Sequence, residues 1–403
     1  MLDVGKPRVV VVSNLLPFDA VPHAGGRYLS ALTRALEGRA DVAVVVANTP
    51  AARYAVLQPG APRRSLIAGL GRASWVGRAG GYAATHLDRW LRPRDPGLPS
   101  LDLAWELVRD PRLRRLVAGA DVLDLQWSEA IRLAPLLRRL NPRARMIGTF
   151  HDVQSQLFER EIVVDPGRAS YWQAMAARSR RAERRALDRL DVVLAFGDKD
   201  LHLLGDPAHG RVIRPPLATS AQARHTTPPG PPTVLFVSHL ARPENVDGVR
   251  WLLRATWPAV LDRVPDARLH LAGAGAPTEL TELVASVDSV HLLGFVDDLD
   301  PVYAAAHVVV VPLRTGAGLK FKTVEALVRG IPVVTTSVGA EGVGPPELFA
   351  AVRDDPAGVA DGLVGVLTGP APYAARAAAA REWAQSEYGA ERFTATVVDA
   401  LGL

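Results

Sequence analysis

The chain has 403 residues, 48% of them apolar, which is about the length of two α/β domains that each bury a core. It contains no cysteine, which excludes disulfides, thiolate metal sites and thiol nucleophiles. Residues 1–230 contain 34 Lys and Arg against 22 Asp and Glu (net +12), whereas residues 231–403 contain 13 against 20 (net −7). The two halves are therefore expected to have different partners.

No apolar run in the sequence is long enough to span a membrane. The first run, Arg8–Val12, is too short for a signal-peptide core, and no later run reaches about 18 residues. With the absence of cysteine, this predicts a cytoplasmic protein. The arginines are scattered without an aromatic–basic motif, so no nucleic-acid partner is expected. The arginine runs Arg112–Arg115 and Arg178–Arg185 leave peripheral contact with the inner membrane surface open as a hypothesis.

In the first half, short apolar runs alternate with helical patterns. Five strands are expected, at Arg8–Ser13, Val42–Ala47, Val122–Leu125, Met146–Phe150 and Val192–Phe196. The loop Leu15–Gly26 precedes a helix near Arg27–Leu36, and Ser170–Leu190 has the pattern of a long helix. Residues 51–100 are rich in Gly, Pro and Arg, and we interpret them as an irregular excursion.

Residues 215–232 contain six prolines and one glycine without apolar periodicity, so they predict a linker between domains 1–214 and 233–388. A final helix within residues 389–403 is expected to pack back on the first domain. Strands in the second half are expected at Thr233–Val237, Arg268–Ala272, Val290–Leu293, Val308–Pro312 and Pro332–Thr335. Strands that alternate with helices predict a doubly wound parallel sheet in each domain, with ligands beyond the carboxyl ends of the strands.

The sequence TGAGLKFKTVEALVRGIPVVTTSVGAE contains the strongest functional pattern in the chain. Gly316 and Gly318 let backbone N–H groups approach an anion, and the helix that follows adds its N-terminal partial charge. Lys320 and Lys322 add two full charges. Glu325, which we place in the first turn of this helix, is a carboxylate that can accept hydrogen bonds from a vicinal diol such as a ribose. A nucleoside diphosphate contains both the anion and the diol.

Residues 233–345 resemble the donor-binding domain of retaining glycosyltransferases of the GT-B fold, in particular family 4. The resemblance rests on VLFVSHLARPENVDGVRWL, LHLAGAGAP and VHLLGFVDDLDPVYAAAHVVVVPLRTGAGLKFKTVEALVRGIPVVTTSVGAEGV. The first half is similar only in its strand pattern and in Gly25–Gly26, Thr149–Asp152 and Glu183. The resemblance implies an α/β protein of the GT-B type, with two Rossmann-like doubly wound domains facing a cleft. The implied reaction moves a sugar from a nucleotide-diphosphate sugar to an acceptor hydroxyl with retention of anomeric configuration.

The resemblance also implies roles for individual residues. Glu325 matches the second glutamate of the family's paired-glutamate motif, which binds the donor ribose. Arg242 matches an arginine on the diphosphate, and His151 matches a histidine near the transferred sugar. With Lys320 and Lys322, Arg242 and His151 are the expected catalytic groups.

Further residues are expected to bind the donor through the same resemblance. The loop of Gly316, Ala317, Gly318 and Leu319 should approach the donor sugar and phosphates. Phe295 and Val296 should flank the base. Gly25 and Gly26 match a loop of the first domain that approaches the diphosphate from across the cleft.

The sequence departs from the family pattern at two positions. Ala317 occupies the place of the first glutamate, which usually contacts hydroxyls of the donor sugar, so the resemblance does not define the sugar. Asp247 occupies the place of a lysine expected about five residues after Arg242. Lys320 or Lys322 is expected to supply that charge.

No cofactor and no metal are expected beyond the nucleotide-sugar donor. The ten histidines lack metal-ligand spacing, and His23, His86 and His225 are expected to be solvated. The acceptor stays open between a lipid-linked glycan and a small-molecule aglycone. Three alternatives stay open: a nucleotide-sugar epimerase or sugar phosphorylase of the same architecture, a non-catalytic nucleotide-sugar sensor, and a dinucleotide-dependent oxidoreductase. The last would require a Gly-x-Gly-x-x-Gly loop after the first strand, which the sequence lacks.

Overall fold

A computed structural model of the chain describes residues 5–19, 24–69, 75–217 and 228–403, without the side chains of residues 75–79. Its contacts divide the chain into two units. Unit 1 consists of Met1–Pro216 and Ala390–Leu403, and unit 2 of Leu217–Gly389. Most of the predicted linker, part of the predicted loop Leu15–Gly26, and His23 and His225 lie outside the described residues.

Unit 1 contains a parallel sheet with seven strands in its described part. These strands are β1 Arg8–Ser13, β2 Asp41–Val46, β3 Ser65–Ile67, β4 Val122–Gln126, β5 Arg145–Phe150, β6 Val192–Ala195 and β7 Gly210–Val212. Their order is β3-β2-β1-β4-β5-β6-β7, and every pairing is parallel. The order in which successive strands are added to the sheet reverses between β1 and β4. This position is therefore the topological switch point, at which such sheets bind ligands.

Helices connect the successive strands of unit 1. They are α1 Ala24–Leu36, α2 Pro50–Ala55, α3 Trp75–Leu91, α4 Leu101–Arg109, α5 Pro111–Ala118, α6 Trp127–Ile131, α7 Ala134–Leu140, α8 Gln154–Val164, α9 Ala169–Leu187 and α10 Asp198–Leu203. The interpretation of residues 51–100 as irregular is wrong, because they include most of α2 together with β3 and α3. One of the glycines that suggested irregularity, Gly80 of α3, is explained by packing. A Cβ at this position would lie 2.4 Å from Cζ2 of Trp105 on α4, so a larger residue would not fit. Tertiary contact thus overrides the low helix propensity of glycine.

Unit 2 contains a second parallel sheet. Its strands are β8 Thr233–Val237, β9 Arg268–Ala272, β10 Val290–Gly294, β11 Val308–Val311, β12 Val333–Thr335 and β13 Ala351–Val352. Their order is β10-β9-β8-β11-β12-β13, which is the order 3-2-1-4-5-6 of a Rossmann sheet. The switch point of unit 2 therefore lies between β8 and β11. The central strands are apolar and almost fully buried, as expected for a sheet that is covered on both faces.

The helices of unit 2 alternate with these strands. They are α11 Pro243–Trp251, α12 Trp257–Leu261, α13 Thr278–Ala285, α14 Asp300–Ala304, α15 Phe321–Val328, α16 Ser337–Ala340, α17 Pro356–Thr368 and α18 Ala371–Glu387. A π-helical turn, Leu252–Thr256, separates α11 from α12. Pro258 has no N–H to donate to the carbonyl four residues earlier, and this explains the widened turn.

The last helix, α19 Ala390–Leu401, belongs to unit 1. The ring of Phe393 lies 5.6 Å from that of Tyr28 on α1, and Nε of Arg145 donates to the carbonyl of Ala400 at 2.9 Å. These apolar and polar contacts join the C-terminal helix to α1 and β5.

None of the helices in the described ranges is long and apolar enough to cross a membrane. Part of the charge in the two arginine runs is neutralised, because Arg112 pairs with Asp110 and Arg180 pairs with Glu159. Peripheral membrane contact stays a prediction.

The loop after β9 approaches the loop after β8 closely at a glycine. Gly273 has a φ of +143°, and a Cβ at this position would lie 1.6 Å from the carbonyl oxygen of Ser238. The backbone bonds from Ser238 N to Ala272 O (2.9 Å) and from Gly273 N to Gly294 O (2.7 Å) fix this approach. Only glycine fits here, because both the backbone conformation and the space exclude a side chain.

We expect Gly273→Ala to destabilise unit 2 by about 2–5 kcal/mol, the sum of backbone strain and a steric clash. Gly342→Ala is the matched control, because Gly342 has a φ of +70° but open space around it. The control should lose only about 1–2 kcal/mol, the cost of the left-handed conformation. Urea unfolding measures both variants, and equal losses would contradict the close approach.

Candidate functional site

The switch point of unit 2 brings together two loops that contain charged residues. The loop after β8 leads into α11, and the loop after β11 leads into α15. Gly248 of α11 lies against the second loop, where a Cβ would be 2.7 Å from the carbonyl oxygen of Pro312. Because α11 touches the loop after β11, side chains that are 67 and 77 residues apart in sequence meet at the carboxyl ends of β8 and β11.

Lys322, the second residue of α15, lies between the two loops. Its Nζ donates to Oδ1 of Asn245 on α11 at 2.6 Å and lies 5.0 Å from the centre of the Phe236 ring on β8. Both partners are neutral. The Lys322 side chain is half-buried, and its ammonium group is held by an amide oxygen and an aromatic face.

The surroundings of Lys322 disfavour its charged form. Burial first, and then the positive charges of Lys320 and Arg242, lower the pKa of Lys322 to about 7, although the carboxylates of Glu244 and Glu325 oppose this shift. An anion bound next to Lys322 would favour the ammonium form and raise this pKa again.

Lys320 shapes the glycine-rich loop. It is only 7% exposed, and its Nζ donates to the carbonyls of Ala317 (3.2 Å) and Gly318 (2.7 Å). Gly316 and Gly318 both have positive φ, +112° and +69°, so the loop turns tightly around this ammonium group. Leu319 completes the loop and packs against the core of unit 2. The predicted loop residues 316–319 are thus organised by Lys320.

Two arginines of the site pair with carboxylates. Nε of Arg242 lies 2.9 Å from Oε1 of Glu244, and the Arg242 side chain is 67% exposed. Arg314, from the loop after β11, binds Asp247 of α11 with two bonds, from Nε to Oδ2 (3.0 Å) and from Nη2 to Oδ1 (2.6 Å). The sequence analysis did not select Arg314, although its place between a strand end and a Gly-x-Gly loop was visible. The pair of Asp247 and Arg314 therefore links α11 to the loop after β11.

Glu325 lies deeper in the same site. The prediction that it is in the first turn is wrong: Lys320 is not helical (φ −90°, ψ 89°), α15 begins at Phe321, and Glu325 is its fifth residue. Its side chain is 9% exposed, and the hydroxyl of Tyr303 donates to Oε2 at 3.4 Å. Glu325 is three residues after Lys322, nearly one helical turn, so the two side chains lie on the same helix face.

Phe295 and Val296 lie away from the switch point. They follow β10, the edge strand, which β9 separates from β8. Phe295 is 66% exposed, whereas Val296 packs against the core of unit 2. Their proposed contact with the base stays a prediction.

His151 follows β5 in unit 1 and is surrounded by aromatic rings. It stacks on Trp127 with ring centres 3.9 Å apart, and the rings of Phe196 and Tyr28 lie at 4.7 and 4.9 Å. Burial lowers the pKa of His151 to about 3. The imidazole is therefore neutral at physiological pH.

A buried polar chain fixes the orientation of His151. Both carboxylate oxygens of Asp124 accept from Nε2 of Gln126 at 2.9 Å, and burial raises the pKa of Asp124 to about 7. Because the amide nitrogen of Gln126 faces a carboxylate, its Oε1 faces His151, 2.9 Å from Nε2. His151 therefore donates from Nε2, and Nδ1 has the lone pair.

Gly25 and Gly26 lie in a helix and not in a loop, which corrects the sequence prediction. Helix α1 begins at Ala24, so both glycines are in its first turn. A Cβ at Gly25 would lie 2.7 Å from Cζ2 of Trp127, whose own φ is +69°. Gly25 thus makes room for the indole ring that stacks on His151.

The predicted site residues form one group in each unit. Arg242, Lys320, Lys322, Glu325 and loop 316–319 lie together in unit 2, whereas His151, Gly25 and Gly26 belong to unit 1. Among the residues that the structure describes, no three His, Asp or Glu side chains are grouped so as to hold a metal ion. The expectation of a metal-free reaction stays a prediction.

Comparison with known proteins identifies the kind of domain in unit 2. Residues 231–369 match the family model of glycosyl transferases group 1. An uncharacterized 44.6 kDa protein in the cps region of Klebsiella pneumoniae is 34% identical over 118 residues, which are 28% of this chain and 30% of that protein. The chain thus matches less than a third of the length of this curated relative.

Solved structures are similar over almost the whole chain. Sucrose-phosphate synthase from Thermosynechococcus elongatus has a TM-score of 0.66 at 17% identity and covers 98% of both chains. Anabaena Alr3699/HepE in complex with UDP and glucose has a TM-score of 0.68 at 13% identity, over 98% of this chain and 100% of that chain. The predicted fold class, two Rossmann-like α/β domains of the GT-B type, is confirmed.

We expect His151 to stay neutral, in the Nε2–H tautomer, between pH 5 and pH 8, because burial lowers its pKa to about 3. Nitrogen-15 NMR of histidine-labelled protein distinguishes this tautomer from imidazolium. Gln126→Leu removes the acceptor of Nε2–H and should change the tautomer populations. A His151 signal that titrates near pH 6.5 would contradict the assignment.

Proposed function

We propose that the chain is a glycosyltransferase that moves a sugar from a nucleoside-diphosphate sugar to an acceptor hydroxyl, with retention of anomeric configuration. One observation supports this most: the partly dehydrated Lys322 ammonium lies beside Arg242 and near the buried Glu325 carboxylate, at the switch point of unit 2. A cationic place for a diphosphate thus adjoins a carboxylate suited to a ribose diol.

The donor class follows from this arrangement and from the comparisons. A diphosphate would accept hydrogen bonds from Lys322 and Arg242, and the ribose hydroxyls would donate to Glu325. The glycosyl transferases group 1 domain covers these three residues. The Anabaena protein that is similar in structure binds UDP and glucose, which supports a uridine or related nucleotide.

The proposed chemistry uses cations to stabilise the leaving group. The bond between the anomeric carbon and the diphosphate oxygen breaks, and the positive charges of Lys322 and Arg242 stabilise the departing diphosphate. The acceptor oxygen forms the new bond to the anomeric carbon on the same face, and its proton passes to the leaving phosphate oxygen. This route needs no carboxylate nucleophile, in contrast to retaining glycosidases with two carboxylates.

His151 is assigned a hydrogen-bonding role and no proton transfer. It is neutral, and Nδ1 is the ring nitrogen that Gln126 does not engage. An acceptor of this kind can orient a sugar hydroxyl. Ala317, which stands where the family pattern has a glutamate, offers no hydrogen bond from its side chain.

A panel of nucleotide sugars, incubated with the protein with and without saccharide and phenolic acceptors, tests the proposal by mass spectrometry. Transfer that requires an acceptor supports a glycosyltransferase. Isomerised donor, or sugar phosphate formed with inorganic phosphate, would indicate an epimerase or a phosphorylase. Binding without any product would indicate a sensor.

We expect Glu325→Gln to weaken binding of the nucleotide donor by about 1–3 kcal/mol, because charged hydrogen bonds to the ribose are lost. Isothermal titration with UDP measures the effect. Glu282→Gln, an exposed glutamate on α13, is the matched control and should bind as the wild type does. Unchanged affinity in Glu325→Gln would refute the ribose assignment.

Binding of UDP should weaken as the pH rises above 7. In the protein without nucleotide, Lys322 has a pKa of about 7. A bound diphosphate should raise this pKa, so binding above pH 7 is coupled to the uptake of a proton. Affinity should fall by up to about tenfold per pH unit between pH 7 and pH 9. Lys322→Arg keeps its charge in this range and should remove most of the dependence. A wild-type affinity that is flat with pH would contradict the role of Lys322.

A further inference from the structure

A cavity of about 610 Å³ is lined entirely by residues of unit 1. Four of its lining residues lie at or shortly after strand ends: Asn14 and Ala47 directly follow β1 and β2, whereas Glu129 and Gln154 lie in the first turns of the helices that follow β4 and β5. The cavity therefore lies at the carboxyl edge of the sheet, where open α/β sheets bind ligands. Its volume is within the range of about 300–1,000 Å³ that is usual for small-molecule sites.

Charges of both signs line this cavity in equal number. The charged lining residues are Arg89, Arg92, Arg132, Asp88, Asp102 and Glu129. Several are already paired: Nη2 of Arg92 lies 2.5 Å from Oδ2 of Asp88, and Asn14 donates to Oε2 of Glu129 at 2.9 Å. A lining without formal net charge favours a neutral ligand over an anionic one.

Two arginines of the lining have hydrogen-bond donors that the described residues leave unsatisfied. Arg132 is 9% exposed; its Nη2 donates to Oε1 of Gln154 at 2.7 Å, but its buried Nε–H has no acceptor in the described ranges. The buried Nε–H of Arg92 also lacks an acceptor there. A buried donor without an acceptor is costly, and an oxygen atom that came within hydrogen-bond distance of either Nε–H would stabilise that side chain.

The mixture of donors and acceptors matches hydroxyl groups. A hydroxyl donates one hydrogen bond and accepts two, so it can satisfy a carboxylate and a guanidinium at once. Glu129 and Asp102 accept, whereas Arg92 and Arg132 donate. The ring of Phe158 also lines the cavity and offers an apolar face for the C–H groups of a sugar ring.

We propose that this cavity binds a neutral saccharide as the acceptor, with Arg132 and Glu129 positioning its hydroxyls. The inference rests on the proposed glycosyl transfer, and it adds the class of acceptor. In the reaction, one acceptor O–H loses its proton to the leaving diphosphate, and its oxygen forms the new glycosidic bond. A lipid tail or an apolar aglycone would offer no hydrogen-bonding atoms to the charged side chains of this lining.

Saturation-transfer NMR and titration with three sets of probes test the inference. The sets are neutral disaccharides (maltose, lactose, cellobiose and sucrose), phenols (4-nitrophenol and 2-naphthol) and sugar anions (glucuronate and glucose 6-phosphate). The wild type should bind at least one disaccharide and prefer it to the other sets. Arg132→Met should weaken that binding by about tenfold or more, the effect of losing a charged hydrogen bond.

Arg139→Met is the matched control, because Arg139 is exposed on α7 outside the lining. Asn14→Ala is a second, smaller change at the cavity, in case Arg132→Met does not fold, and it should also weaken disaccharide binding. Preference for phenols or sugar anions, no binding of any disaccharide, or equal affinity in wild type and cavity variants would overturn the inference. UDP binding is measured on the wild type and on every variant. If the wild type does not bind UDP, the proposed function is refuted. If it binds UDP but no disaccharide, only the acceptor assignment is refuted.

Discussion

The partly dehydrated ammonium group of Lys322 is the feature on which the unit 2 site depends. Arg242 and Arg314 pair with the carboxylates of Glu244 and Asp247, but the hydrogen-bond partner of Lys322 is the neutral amide of Asn245. Burial is the main cause that lowers the pKa of Lys322 to about 7, so its surroundings disfavour the charged form. An incoming anion gains most from this group, because Coulomb attraction is stronger where water is excluded.

Sheet topology explains why functional groups collect where they do. In each unit the strand order reverses once, between β1 and β4 and between β8 and β11, and polar side chains lie beyond those strand ends. The two collections differ in chemistry. Unit 2 presents cations beside a carboxylate, which suits a nucleoside diphosphate. Unit 1 presents a neutral His151 and a cavity of balanced charge, which suits hydroxyl groups. We thus propose two different kinds of recognition for the same sheet architecture.

The sequence was most informative where the relevant residues are contiguous. Buried parallel strands are apolar runs, and the Gly-Lys-Glu pattern of residues 316–325 lies within one loop and one helix, so both could be predicted. Features that depend on distant contacts could not. Asp247 and Arg314 meet across 67 positions, and helix α3 forms despite its glycines because it packs against Trp105. The bonds that orient His151 and Arg132 likewise join residues more than 20 positions apart, without any local signal.

The central claim is that a nucleotide sugar binds at the β8–β11 switch point of unit 2. A crystal structure of the protein with UDP tests it most directly. The account predicts the diphosphate within hydrogen-bond distance of Lys322 Nζ and the Arg242 guanidinium, and both ribose hydroxyls on the carboxylate of Glu325. A nucleotide found elsewhere on the protein, or bound here with its ribose turned away from Glu325, would contradict it.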